Sequence, residues 1–155
     1  MSNDIWKPNV TVAALIERDG RYLLVEEETD DGIRLNQPAG HLDENESLID
    51  ACVRETLEES AWQFIPTALV GMYQWMRPQG DITYLRFAFA GTLGEFDEKR
   101  KLDTGILRTV WMTPEEIRST QDRHRSPLIW QCVQDHLSGR RFPLDLIRHY
   151  GAQES

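Results

Sequence analysis

The periodicities of this chain follow one order, and that order constrains the fold. Short strand-like runs come first, VTVAALI (10–16) and RYLLVEE (21–27), joined at Asp19-Gly20. Asp-Gly between two such runs favours a tight hairpin, because both residues tolerate positive φ. LNQPAGHL (35–42) reads as a loop with a short extended piece. Helical spacing then takes over at Leu48, Ile49, Cys52, Val53, Thr56 and Leu57. Ser47, with Asp50 three residues later, marks a capping-box-like start. Strand-like runs return in TALVGMYQWM (67–76) and ITYLRFAFAGT (82–92), around a turn at Pro78 to Asp81. The second run puts Leu85, Phe87 and Phe89 on one face and Tyr84, Arg86 and Ala88 on the other. A polar loop, GEFDEKRKLDTG (94–105), precedes a strand at ILRTVWM (106–112). Thr113-Pro114-Glu115-Glu116 and Ser126-Pro127 open two helices, and Gly139 closes the second. Strands, helix, strands, then helices predict an α/β layered domain with a mixed sheet. A doubly wound βαβ repeat does not fit this order. We expect one domain over residues 1–155, with a core at about 6–137 and a C-terminal helix and tail at 126–155.

Charge narrows the function. The formal net charge of -9 argues against a nucleic-acid polymer or an anionic membrane as partner. A small anionic substrate stays possible, because a bound cation reverses the local sign. Cys52 and Cys132 each lie in a helical pattern, with no CxxC or Cys/His cluster to suggest zinc. They read as buried thiols in a reducing compartment. MSNDIWKPNV lacks the basic start and apolar run of a signal peptide. No apolar run approaches the ~20 residues that span a membrane. The expectation is a cytoplasmic protein, a monomer or small homo-oligomer.

One segment departs from ordinary charge patterning. GHLDENESLIDACVRETLEESA, Gly40 to Ala61, carries seven carboxylates, one arginine and no lysine. On a helix, Glu55, Glu58 and Glu59 share a face. Glu58 and Glu59 also fall in the last turn, where the dipole is already negative. Each like-charged pair costs a few tenths of a kcal/mol, and the dipole adds ~0.3–1 kcal/mol. A solvated acidic face is the plain alternative. Against it, the acids converge at one point, a loop with Pro38-Ala39-Gly40 precedes them, and Arg54 alone compensates. Oxygen-only ligands suit Mg²⁺, with Mn²⁺ as a substitute. A Mg²⁺ held this way leads to chemistry on phosphate esters or anhydrides.

The segment resembles the Nudix box, Gx5Ex7REUxEExGU, with U a bulky apolar residue. Gly40, Glu46, Arg54-Glu55 and Glu58-Glu59 stand at the box spacing over 23 residues. Thr56 replaces the usual aliphatic, and Ala61 replaces the final glycine. If position 61 is left-handed, alanine there costs roughly 1 kcal/mol. VTVAALI, VEEET, NQPAGHL, YQWM, YLRFAF, RSPL and SGRRFPLDLI are similar to the NudJ-type phosphatases of that family. The resemblance implies a Nudix-type α/β/α sandwich that uses Mg²⁺ to hydrolyse phosphoanhydrides. It implies nucleoside tri- and diphosphates and thiamine-type pyrophosphates as substrates, with orthophosphate released. The same box serves dinucleoside polyphosphate and oxidised-nucleotide hydrolases. A non-catalytic nucleotide sensor is a further alternative, though such a module would be expected to lose box acids.

The resemblance also assigns roles. Glu55, Glu58 and Glu59 match the metal-binding glutamates, and the Ala39 carbonyl matches the backbone ligand. Gly40 and Glu46 belong to the structural motif, and Arg54 is expected to orient Glu55 or pair with Glu46. Asn36 and Gln37 are candidates for hydrogen bonds to a substrate ring, or a polar turn. Tyr73, Trp75 and Tyr84 are candidates for stacking, or core residues. Arg86 is a candidate phosphate ligand, or half of a surface salt bridge. Glu95, Asp97, Glu98 and Asp103 offer a general base from the later loop. His41 follows the box glycine and is a candidate to lie near the phosphates, or an exposed histidine. No GxxxxGK[ST] is present, which excludes a P-loop.

Overall fold

A computed structural model describes residues 4–152. Eight strands and three helices follow the expected order: β1 (Asn9–Leu15), β2 (Glu17–Arg18), β3 (Arg21–Thr29), β4 (Gly32–Asn36), β5 (Ala39–His41), α1 (Leu48–Ser60), β6 (Trp62–Met76), β7 (Thr83–Phe96), β8 (Ile106–Met112), α2 (Pro114–Ser119) and α3 (Leu128–Leu137). One sheet has the order β5-β1-β7-β6 and is mixed, since β1 runs parallel to β7 and antiparallel to β5. The other is antiparallel, with β3 between β4 and β8 and the short β2 extending the β4 edge.

Alternation along β1 explains why helices cover both faces. Val12 and Ala14 pack with Ala51 and Cys52 of α1 and with Phe89, whereas Leu15 packs with Ile117 of α2 and with Ile129, Cys132 and Val133 of α3. Both clusters also draw on β3, through Leu23 on one side and Tyr22 and Leu24 on the other. The result is an α/β/α sandwich. Along β7, Phe89 faces α1 while Ala88 and Ala90 face α3.

The local signals produce the expected ends. Asp19 and Gly20 take φ of 53° and 78°, the twist a tight hairpin requires. Ser47 accepts from the Asp50 N–H at 3.0 Å and caps α1. Thr113 and Glu116 form a full capping box, with Pro114 at the first turn. Three boundaries differ from expectation. The extended piece at 35–42 is split between β4 and β5. β6 starts at Trp62, tolerates Pro66 because it is an edge strand, and shifts register before Gly71. β7 runs to Phe96, into the segment expected as loop, because Trp62 pairs with Phe96. After α3 the chain returns to the sheet, where Phe142 pairs with Leu69 through backbone bonds of 2.8 and 2.9 Å.

Candidate active site

The site forms where α1 passes beneath β5. Gly40 pairs with Val12, whose side chain faces α1, so position 40 faces the helix. A Cβ there would lie 2.1 Å from the Glu55 carboxyl carbon. Glycine is therefore required for close approach, not for an unusual φ. Next to it, the Ala39 N–H donates to Glu59 Oε1 at 2.9 Å. Two α1 carboxylates thus lie directly against the β5 backbone.

Arg54 organises the outer side. Its Nε donates to Glu46 Oε2 at 2.7 Å and its Nη2 to Glu46 Oε1 at 3.0 Å. Nη1 donates to Glu55 Oε1 at 2.8 Å and to Glu58 Oε2 at 3.2 Å, and Nη2 also reaches the His41 carbonyl at 3.0 Å. The two expected roles are both filled, because a guanidinium has donors on two edges. Glu46 in turn accepts from the Asp43 N–H at 3.1 Å.

Asp103 comes from the loop after β7. Its N–H donates to the Glu58 carbonyl at 3.0 Å, and its carboxylate joins those of Glu55 and Glu58 within 4.8 Å. Of the four loop acids considered from sequence, this one meets the box. No periodicity marks it, since its placement depends on a loop bond to the end of α1.

Burial, with a smaller contribution from neighbouring acids, raises two of the glutamates. Burial pushes Glu59 up to about 8; its bond from Ala39 opposes this, and Glu27, Glu55 and Asp103 add to the rise. Burial also raises Glu55, against the opposing effect of Arg54 and with help from Glu58 and Asp103. One guanidinium does not neutralise this set. All the donors are oxygens, which fits a hard divalent cation. Glu55, Glu58 and Asp103, whose carboxylate oxygens lie within 4.8 Å of one another, could hold it, with Glu59 beside them against the Ala39 N–H.

Above the carboxylates lies a cavity of about 770 Å³ that also touches Ala39, Trp75, Tyr84 and Arg86. Thr11 of β1 pairs with His41 of β5 on one side and Arg86 of β7 on the other. Arg86 therefore stands two strand spacings, roughly 10 Å, from the β5 rim. Tyr84 is the next residue outward on that face, and its cross-strand partner Trp75 stacks on it at 5.9 Å and 18°.

Asn36 and Gln37 are not a polar turn. Gln37 is 1% exposed and donates to the Ile129 carbonyl at 3.0 Å. Its Oε1 and the Asn36 Oδ1 both accept from Arg86 Nη2. Nor is Arg86 a surface residue, being 6% exposed. Tyr73 lies apart from the cavity, packing against the α3 core and donating to Asp135 at 2.7 Å. Glu27 was missed from sequence; it is buried in the cavity wall and paired with Arg125 at 2.8 Å. A charged residue among the buried positions of β3 was the available signal.

Comparison with known proteins agrees with this geometry. The NUDIX domain family matches residues 6–131. Phosphatase NudJ of Escherichia coli K12 is 36% identical over 143 residues, covering 92% of each chain. A NUDIX hydrolase from Nitrosomonas europaea superposes with a TM-score of 0.90 at 53% identity, covering 93% of this chain and 98% of that one. A MutT protein from Methanosarcina mazei, 20% identical with a TM-score of 0.70 over 89% of this chain and 100% of that one, shares the fold. With its box acids gathered under β5, the chain belongs to the Nudix hydrolases, enzymes that act on phosphoanhydrides.

Proposed function

We propose that this enzyme is a NudJ-type phosphatase. It hydrolyses nucleoside tri- and diphosphates and thiamine-type pyrophosphates in the cytoplasm, releasing orthophosphate. The observation that carries the reading is the order of groups along the cavity. Box carboxylates lie at one end, Arg86 lies across β1, and the Trp75–Tyr84 pair lies beyond. A phosphate chain fits between the first two, with its ring outward on the aromatic pair. Aromatic faces stack on rings with little selectivity, which supports a broad substrate range.

The residues divide the work. Glu55, Glu58, Glu59 and Asp103 hold the divalent cation, with the Ala39 carbonyl as a further ligand. The cation supplies charge neutralisation and a more acidic water. Arg54 positions Glu55 and Glu58 and is itself held by Glu46. Arg86 contacts the terminal phosphate, which puts the terminal phosphorus nearest the carboxylates.

Hydrolysis of a nucleoside triphosphate in heavy-oxygen water tests this. Label in orthophosphate, with unlabelled nucleoside diphosphate, is expected. Pyrophosphate and nucleoside monophosphate as first products would return the enzyme to an ordinary nucleotide pyrophosphatase. A panel including thiamine pyrophosphate, dinucleoside polyphosphates and oxidised nucleotides then ranks the substrates by kcat/KM.

A further inference from the structure

Four arginines line the cavity, and they differ in what neutralises them. Arg77 is paired with Asp81, and Arg125 with Glu27. Arg34 is partly exposed and donates to the carbonyls of Asp122 and Asp31. Arg86 is the most enclosed, and among the described residues no carboxylate lies within ion-pair distance of it. Both of its side-chain hydrogen bonds leave from Nη2 and end on neutral amide oxygens. Its Nε is buried and has no partner. The nearby Cys132 thiol adds no counter-charge, because burial pushes it up and keeps it protonated.

Burying a guanidinium without a counter-ion is unfavourable, and a ligand that brings the opposite charge offsets that cost. The amides that hold Arg86 are themselves fixed. Gln37 Nε2 is committed to the Ile129 carbonyl, so Gln37 Oε1 must face Arg86. Asn36 Nδ2 points toward Glu27, at 3.4 Å, which turns its oxygen toward Arg86 too. The guanidinium is oriented before any ligand arrives, with a donor to spare.

We propose that Arg86 forms an oxyanion seat that works without a metal. Orthophosphate binds there in the absence of divalent cations, and the enzyme consequently retains its own product as a competitive inhibitor. The inhibitory consequence rests on the proposed release of orthophosphate; the binding itself does not. The acids of the cavity do not cancel the seat. Glu27 is offset by Arg125, Glu55 and Glu59 lie on the far side of β1, and Asp30 and Asp31 are exposed to solvent.

Calorimetric titration of the full chain with orthophosphate in excess chelator is the test. Saturable binding is expected, accompanied by a shift of one arginine Nε–H resonance in heavy-nitrogen-labelled protein. Arg86→Gln should weaken binding at least about tenfold, the loss of a charge-assisted bond. Arg86→Lys should recover part of it. If Arg86→Gln does not fold, the Nε–H shift in the unaltered protein decides alone. Absence of heat and of that shift would overturn the seat, as would binding unchanged in folded Arg86→Gln. Binding seen only with Mg²⁺ would also overturn it, while leaving metal-dependent hydrolysis intact.

Discussion

Arg54 grips Glu46 along one edge, with bonds of 2.7 and 3.0 Å, and reaches Glu55 and Glu58 with its remaining Nη1. Glu46 therefore acts at a distance, by fixing the guanidinium that fixes the ligands. Glu46→Gln keeps the shape and removes the charge. Metal affinity is expected to fall about 10- to 100-fold, the usual effect of losing a partner behind the ligands. Titrating activity with Mg²⁺ at fixed substrate checks this. Recovery of most of the rate at high Mg²⁺ is the expected sign of a positioning role.

Glu59→Gln should behave differently. The amide oxygen can still accept from the Ala39 N–H, so the fold is expected to survive. Removing a buried carboxylate also relieves repulsion from Glu55 and Glu27. Turnover should fall by orders of magnitude without rescue at high Mg²⁺. Near-normal activity in saturating metal would remove Glu59 from the ligand set.

Gly40→Ala isolates the close approach under β5. The added methyl would meet the Glu55 carboxylate, with contacts of 2.1 to 2.4 Å. The side chain must move, and with it the bond from Arg54. Activity should drop far more than the melting temperature, which a parallel thermal scan will show. Retained Mg²⁺-dependent turnover would mean that Glu55 can act from another position.

The box was legible in the sequence because its spacing is local: helical periodicity puts Glu55, Glu58 and Glu59 on one face before any tertiary contact is known. The two-sided alternation of β7 was legible for the same reason. What alternation cannot show is which face receives a helix as cover. Arg86 was therefore left open between ligand and surface residue, until α3 enclosed it through Ile129 and Gln37. Asp103 could not be told from Glu95, Asp97 and Glu98, and Glu27 was hidden, for another reason: each reaches the site by long-range packing of a loop or strand. Tyr73 and Trp75 sit two residues apart on one strand, yet only Trp75 lines the cavity, because Tyr73 falls under α3.

Ala61 gives a stability prediction. It ends α1 at φ 64°, in the left-handed region, with its N–H on the Leu57 carbonyl. Alanine tolerates that conformation at a cost of roughly 1 kcal/mol, which glycine does not incur. Ala61→Gly should therefore stabilise the protein, by about 0.5–1 kcal/mol after the greater flexibility of the unfolded chain is counted. The denaturant midpoint measures it, and a lower midpoint would show that the buried methyl matters more.

His136 sets a pH limit remote from the site. Arg141 Nη2 lies 2.8 Å from its Nε2, and a guanidinium only donates, so Nε2 accepts and Nδ1 carries the proton toward Tyr22 at 2.6 Å. Burial, reinforced by the Arg141 charge, lowers His136 from 6.5 to about 4. The folded value lies below the unfolded one, so the folded state favours neutral imidazole. That stabilisation is complete above pH 6.5 and is lost as pH falls from 6.5 toward 4. Unfolding midpoints across this window should slope less in His136→Asn than in the unaltered chain. Equal slopes would assign the acid sensitivity to other groups.

The pairing of Phe142 with Leu69 has a consequence for colloidal behaviour. β6 is the outer strand of its sheet and 15 residues long, so its free backbone groups form a template for a foreign strand. Pro66 removes one donor from it, the register shift before Gly71 bends it, and the returning C-terminal segment fills the position between them. The segment after α3 thus acts as a built-in shield against fibril-like stacking. A chain cut after Gly139 would be expected to precipitate on standing, even with every box residue in place.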